Sequence, residues 1–194
     1  MMLWMTRFTG FTIGAGLALW MISTPPADAQ WYSSTPTPLP EIEAAVAERH
    51  DDIAHLEPED FARMRASGED FILLDVREQD EFDVSHIPGA LQIDPGAKAA
   101  DVKALLAAAG AAADTPVVVY CSVGRRSSRL GSRVVEALDG REVTNLRGGV
   151  FAWHNETRPL ENAAGTTDMV HPYSTKWGKL IERSDGISYT PETK

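Results

Sequence analysis

A chain of 194 residues is long enough for one ordinary domain with extensions at both ends, or at most two very small domains. Hydrophobic residues at 43% and charged residues at 24% match a soluble globular chain and argue against wholesale disorder. The net charge of −10 and pI near 4.9 disfavour nucleic acid or an anionic membrane surface as partner, because both reward clustered Lys and Arg. Cys121 is the only cysteine, which excludes an internal disulfide and a multi-cysteine zinc site.

The first residues read as an address. Arg7 lies in a short basic start, Phe8 to Ile22 is apolar and uncharged, Thr24-Pro25-Pro26 breaks any helix, and Ala27-Asp28-Ala29 is a small-x-small site. This is the three-part pattern of a secretory signal, with cleavage expected after Ala29 and a periplasmic or secreted product that meets no membrane after cleavage. An uncleaved anchor is the alternative, but the apolar run falls short of the roughly 20 residues that a spanning helix needs. Cleavage removes Arg7 and Asp28 together, so the mature charge stays at −10.

Residues 30–55 read as a Ser/Thr/Pro-rich linker followed by a weak helix over Glu41 to Asp52. A compact domain is expected over residues 56–160. Glu57-Pro58-Glu59-Asp60 starts a helix that Gly68 ends. Strands are predicted over Phe71 to Val76, Leu91 to Ile93, Val117 to Tyr120 and Val143 to Leu146. Helices are predicted over Asp101 to Ala109, Ser127 to Leu138 and Val150 to Asn155. Strands alternating with helices imply a single α/β domain with a mostly parallel central sheet covered on both faces, and ligands then sit beyond the carboxyl ends of the strands. Residues 161–194 form a C-terminal extension, with Glu161 to Thr167 read as a loop and Trp177, Leu180 and Ile181 on one helical turn packed on the domain.

The chemistry concentrates at one strand end. Cys121 follows the strand Val117 to Tyr120 and opens the stretch Ser122-Val123-Gly124-Arg125-Arg126-Ser127, which runs into a helix. Such a loop points several backbone N–H groups into one concavity that suits an anion, and Gly124 allows the tight turn. A thiol held there, with Arg125 and Arg126 beside it, is expected to have a lowered pKa and to be an accessible thiolate at neutral pH. Arg129 and Arg133 continue along the helix and read as a solvated face paired with Glu136 or Asp139. His86 reads as a structural turn residue, Asp75 and Arg77 as internal support for neighbouring loops, and Trp153 as core. His50, His55, His154 and His171 show no metal-ligand spacing.

Cys121, Gly124, Arg126 and Ser127 resemble the rhodanese active-site loop, C-x-x-G-x-R-S. Leu73-Leu74-Asp75-Val76-Arg77-Glu78, Glu81-Phe82 and His86-Ile87-Pro88-Gly89-Ala90 resemble the family's first conserved box, and Leu146-Arg147-Gly148-Gly149 with Ala152-Trp153 its closing box. Ser85 stands where the family usually has Gly. The resemblance implies a small α/β domain whose cysteine takes a sulfane sulfur from a donor such as thiosulfate and passes it, as a persulfide, to a thiol or cyanide. It implies Cys121 as nucleophile and Ser122, Val123, Gly124, Arg125, Arg126 and Ser127 as the substrate cradle. Small sulfur-containing anions and a thiol or protein acceptor are the expected partners, and neither a cofactor nor a metal is called for. Two other readings use the same thiol. A phosphatase or arsenate reductase resembles C-x5-R, whereas Arg126 closes a C-x4-R spacing here; a binding or redox-sensing module would need an external thiol to resolve its oxidised form.

Overall fold

The computed structural model describes residues 36–191; the expected export signal, residues 1–29, lies outside them. In chain order the elements are α1 (Leu39–Arg49), β1 (Ala54–Leu56), α2 (Pro58–Ser67), β2 (Ile72–Asp75), α3 (Gln79–Val84), β3 (Leu91–Gln92), α4 (Ala99–Ala108), β4 (Val117–Tyr120), α5 (Arg125–Val134), β5 (Val143–Leu146), α6 (Gly149–Asn155), β6 (Leu160–Asn162) and β7 (Gly165–Thr167). Strands β1, β5, β4, β2 and β3 lie side by side in that order, and every neighbouring pair is parallel.

Alternation along the strands sorts the core into two layers. Val118 and Tyr120 of β4 point to one face, with Ile42 and Val46 of α1, Phe61 of α2, and Val150, Phe151 and Trp153 of α6. Val117 and Val119 point to the other, with Val102 and Leu106 of α4 and Leu130 and Val134 of α5. Both faces are covered, which is why Val117 to Tyr120 is apolar at every position. The sheet is the α/β architecture that the sequence implies.

Several local expectations change. The helix read as weak, α1, buries Ile42 and Val46, so the packed body begins before Leu56; β1, with its exposed Ala54, was not anticipated. The six-residue α3 was also missed; Glu78 and Glu81 close it with a capping box. The helix expected over Ser127 to Leu138 starts two residues earlier, and its last turn, Val135–Leu138, tightens to a 3-10 helix. Glu161 to Thr167 is not a loop: β6 and β7 pair as an antiparallel hairpin, and a backbone bridge ties Glu161 to His86. Ser85 has φ −172°, an extended backbone that any residue adopts, so the turn itself does not require Gly there, although the Ser85 hydroxyl is buried without a hydrogen-bond partner among the described residues.

Candidate active site

Strand β4 runs straight into the loop. Cys121 is 1% exposed, directly after the strand end, and Gly124 then turns the chain with φ 85°, a left-handed value that disfavours any side chain. A Cβ at Gly124 would also lie 3.0 Å from Asn145 Nδ2. The turn delivers the first N–H groups of α5 to the sulfur: Arg126 N–H donates to Cys121 Sγ at 3.3 Å. A second helix closes from the other side, where Val150 N–H donates to the Cys121 carbonyl at 2.9 Å and Phe151 N–H to the Ser122 carbonyl at 3.1 Å. Gly149 permits this approach, since a Cβ there would stand 2.1 Å from the Cys121 carbonyl oxygen. Gly149 is thus a packing requirement of the cysteine loop, whereas a Cβ at Gly148 would meet Glu43 and Ala152.

Burial pushes the Cys121 thiol up. The Arg126 cation and the backbone N–H groups of Ser127 and Val123 pull it down further, so that the thiol lies below its ordinary value. The expected lowering is present, while the expected accessibility is not: the thiol is buried beside a cavity of about 260 Å³.

That cavity is lined by Cys121, Ser122, Val123, Arg125, Arg126, Arg129, Tyr173 and Trp177. Of the seven predicted site residues, the nucleophile Cys121 and four of the six cradle residues line it. Gly124 and Ser127 do not: Ser127 is fully buried and its hydroxyl donates to Asn145 Oδ1 at 2.7 Å, tying the loop to β5. Arg129, read as a solvated face, stands on the cavity, and Arg133 does not pair with Glu136 or Asp139 but donates to the Pro95 and Ala97 carbonyls.

Glu81 is the member that loop reading missed. Its carboxylate accepts Arg126 Nη1 at 2.6 Å and Nη2 at 2.8 Å, and Ser122 Oγ at 3.1 Å. Burial raises the Glu81 pKa, but the bonds and charge of Arg126 outweigh it and leave the carboxyl below its usual range. Arg126 is therefore fixed in place and still charged. The only sequence signal was Glu81's position in the first conserved box, because the pair is 45 residues apart. Beneath lies a second ion pair. Arg77 donates through Nε and Nη2 to Asp75 and through Nη2 to the Ser85 carbonyl, with both partners fully buried, which matches the supporting role expected of them. His86 stacks on Phe82 and bonds the Phe82 carbonyl, a turn histidine as read.

Residues 57–156 match the rhodanese-like domain family. The chain belongs to that family. This rhodanese-like domain is 30% identical over 108 residues to a sulfurtransferase of Allochromatium vinosum, covering 56% of this chain and 94% of the relative. It is 36% identical over 99 residues to adenylyltransferase and sulfurtransferase uba4 of Pyricularia oryzae, covering 44% of this chain and spanning only 20% of that protein's length. Among solved structures it resembles the thiosulfate sulfurtransferase of Pseudomonas aeruginosa with a TM-score of 0.53 and 25% identity, over 74% of this chain and 26% of that one. Membership and the sulfurtransferase relatives support sulfur transfer as the general reaction class.

Proposed function

We propose that Cys121 of this rhodanese-like domain carries a sulfane sulfur from an anionic donor of the thiosulfate class to a thiol or cyanide. The observation that carries this reading is the thiol itself, which is buried yet held below its ordinary pKa, beside a cavity lined by Arg125, Arg126 and Arg129. A thiol whose ionised form is favoured by oriented N–H groups and the Arg126 charge is a nucleophile matched to an anionic donor.

The thiolate attacks the outer sulfur of thiosulfate. A bond forms between Sγ and that sulfur, the donor S–S bond breaks, and its electron pair leaves with sulfite. The persulfide anion then occupies the cavity, where the loop N–H groups and the Arg126 charge stabilise it. Cyanide or an acceptor thiolate attacks the outer sulfur next; the new bond forms as the persulfide S–S bond breaks, and its electron pair returns to Sγ as thiolate. Glu81 and Ser122 touch no reacting atom in this scheme; they hold Arg126.

Initial rates of thiocyanate formation test the proposal. Double-reciprocal lines at varied thiosulfate and cyanide are expected to be parallel, as a covalent intermediate requires, with no activity in Cys121→Ser. Intersecting lines, or a serine variant that still turns over, would overturn it. The proposal includes a setting outside the cytoplasm, resting on residues 1–29, so that the acceptor is met there; a mature chain beginning at Gln30 supports that setting, and recovery of the whole protein in the cytoplasmic fraction contradicts it.

A further inference from the structure

Two of the eight residues lining the Cys121 cavity, Tyr173 and Trp177, lie beyond the span 57–156 that matches the family. They belong to the C-terminal extension, and that extension is built into the domain. Val170 is fully buried in the core layer that also holds Leu180 and Ile181. Its N–H donates to the Gly186 carbonyl at 2.7 Å, and its carbonyl accepts Ser188 N–H at 3.2 Å. The Asn155 side chain clamps the Leu180 carbonyl and the Glu182 N–H, each at 2.9 Å, and His154 bonds the Asp168 carbonyl at 3.0 Å. These bonds fix the segment between them.

Tyr173 sits at the cavity in a conformation that its own backbone does not favour. Its φ of 62° is left-handed, which costs a bulky L-residue on the order of 1 kcal/mol or more, and the His171 ring accepts its N–H at 3.1 Å to hold the turn. The result is a phenol ring 4.9 Å from the Arg126 guanidinium, still 52% exposed at the cavity. Trp177, half-buried, adds a second aromatic lining residue. Arg125 and Arg129 complete the lining, so two aromatic rings and three arginines face a space far larger than the five heavy atoms of thiosulfate fill.

We propose that Tyr173 and Trp177 make this cavity selective for sulfur anions bearing an apolar, aromatic body beside the anionic head, the arylthiosulfonate class, over small inorganic donors. The proposal rests on the sulfur-transfer reading above and specifies its donor. The ring of such a donor packs on Tyr173 and Trp177 while its sulfonyl oxygens face the arginines. The chemistry is the same displacement. Sγ bonds the terminal sulfur, the bond between the two donor sulfurs breaks, and the electron pair leaves on an arenesulfinate instead of sulfite.

Binding and turnover by the full chain test this separately. Calorimetry on Cys121→Ser with benzenesulfinate and methanesulfinate involves no sulfur transfer; the aromatic ligand is expected to bind about tenfold tighter, the worth of one good aromatic contact. Equal affinities overturn the selectivity whatever the enzyme transfers, whereas a retained preference with no donor able to load Cys121 overturns the transfer reading and leaves the selectivity standing. In turnover with cyanide, the ratio of kcat/KM for benzenethiosulfonate over methanethiosulfonate is expected to fall about fivefold or more in Tyr173→Ala and in Trp177→Ala, and to survive in Tyr173→Phe, which keeps the ring. A ratio unchanged in both alanine variants contradicts the assignment.

Discussion

Glu81 and Arg126 decide how the cysteine loop carries charge. The Glu81 side chain is 2% exposed and that of Arg126 18%, so removing one partner leaves the other largely desolvated. Glu81→Gln is expected to lower stability by about 3 kcal/mol at neutral pH, measured by urea unfolding. The sign of its pH dependence follows from the depressed folded-state pKa. The contribution is fully present above the ordinary carboxyl range and is lost as pH falls through the folded value, so the gap between wild type and variant must shrink in acid. A gap that stays constant down to full protonation would show that the pair is not what the substitution removes. At this scale the sequence revealed what is contiguous: Cys121, Ser122, Val123, Arg125 and Arg126 line the cavity as read. It did not reveal what Ser127 and Arg133 do, because their partners, Asn145 and the Pro95 and Ala97 carbonyls, come from distant segments.

Elements were legible where their patterns were strong. Val117 to Tyr120 and Val143 to Leu146 emerge with the predicted bounds because each is buried along its whole length. Ala54-His55-Leu56 offers no such run, and its strand exists only because the edge of β5 pairs with it. The short α3, with Asp, Glu and Gln at four of its six positions, gives no amphipathic period. Contact between elements was less legible still. The junction of α6 with the cysteine loop depends on Gly149, whose φ is 55° and whose absent Cβ would meet the Cys121 backbone. Gly149→Ala combines left-handed strain with overpacking and is expected to cost about 3 kcal/mol in chemical denaturation. A loss below about 0.5 kcal/mol, the level of an ordinary surface substitution, would mean that the loop and α6 are not locked together.

Across the whole molecule, the boundary between domain and extension dissolves. Val170, Leu180 and Ile181 join the same core layer as Val118 and Trp153, so residues read as an appendage are part of the fold. The sequence hid this because the extension is short of regular secondary structure and its apolar residues are widely spaced; only the Trp177, Leu180, Ile181 cluster hinted at packing. Ile181→Ala is expected to cost about 2–4 kcal/mol, as for other buried isoleucines, and thermal or urea unfolding should remain a single transition. A separate early transition would make the extension an independent unit. Extension, loop and sheet together frame one sulfur atom, and the central claim is that this atom accepts another. Intact-mass spectrometry of the full chain after incubation with thiosulfate and with benzenethiosulfonate is the most direct measurement. The expected result is a gain of one sulfur atom, located on Cys121, lost on adding cyanide and absent in Cys121→Ser; no gain from either donor, or a gain that the serine variant shares, would contradict the account.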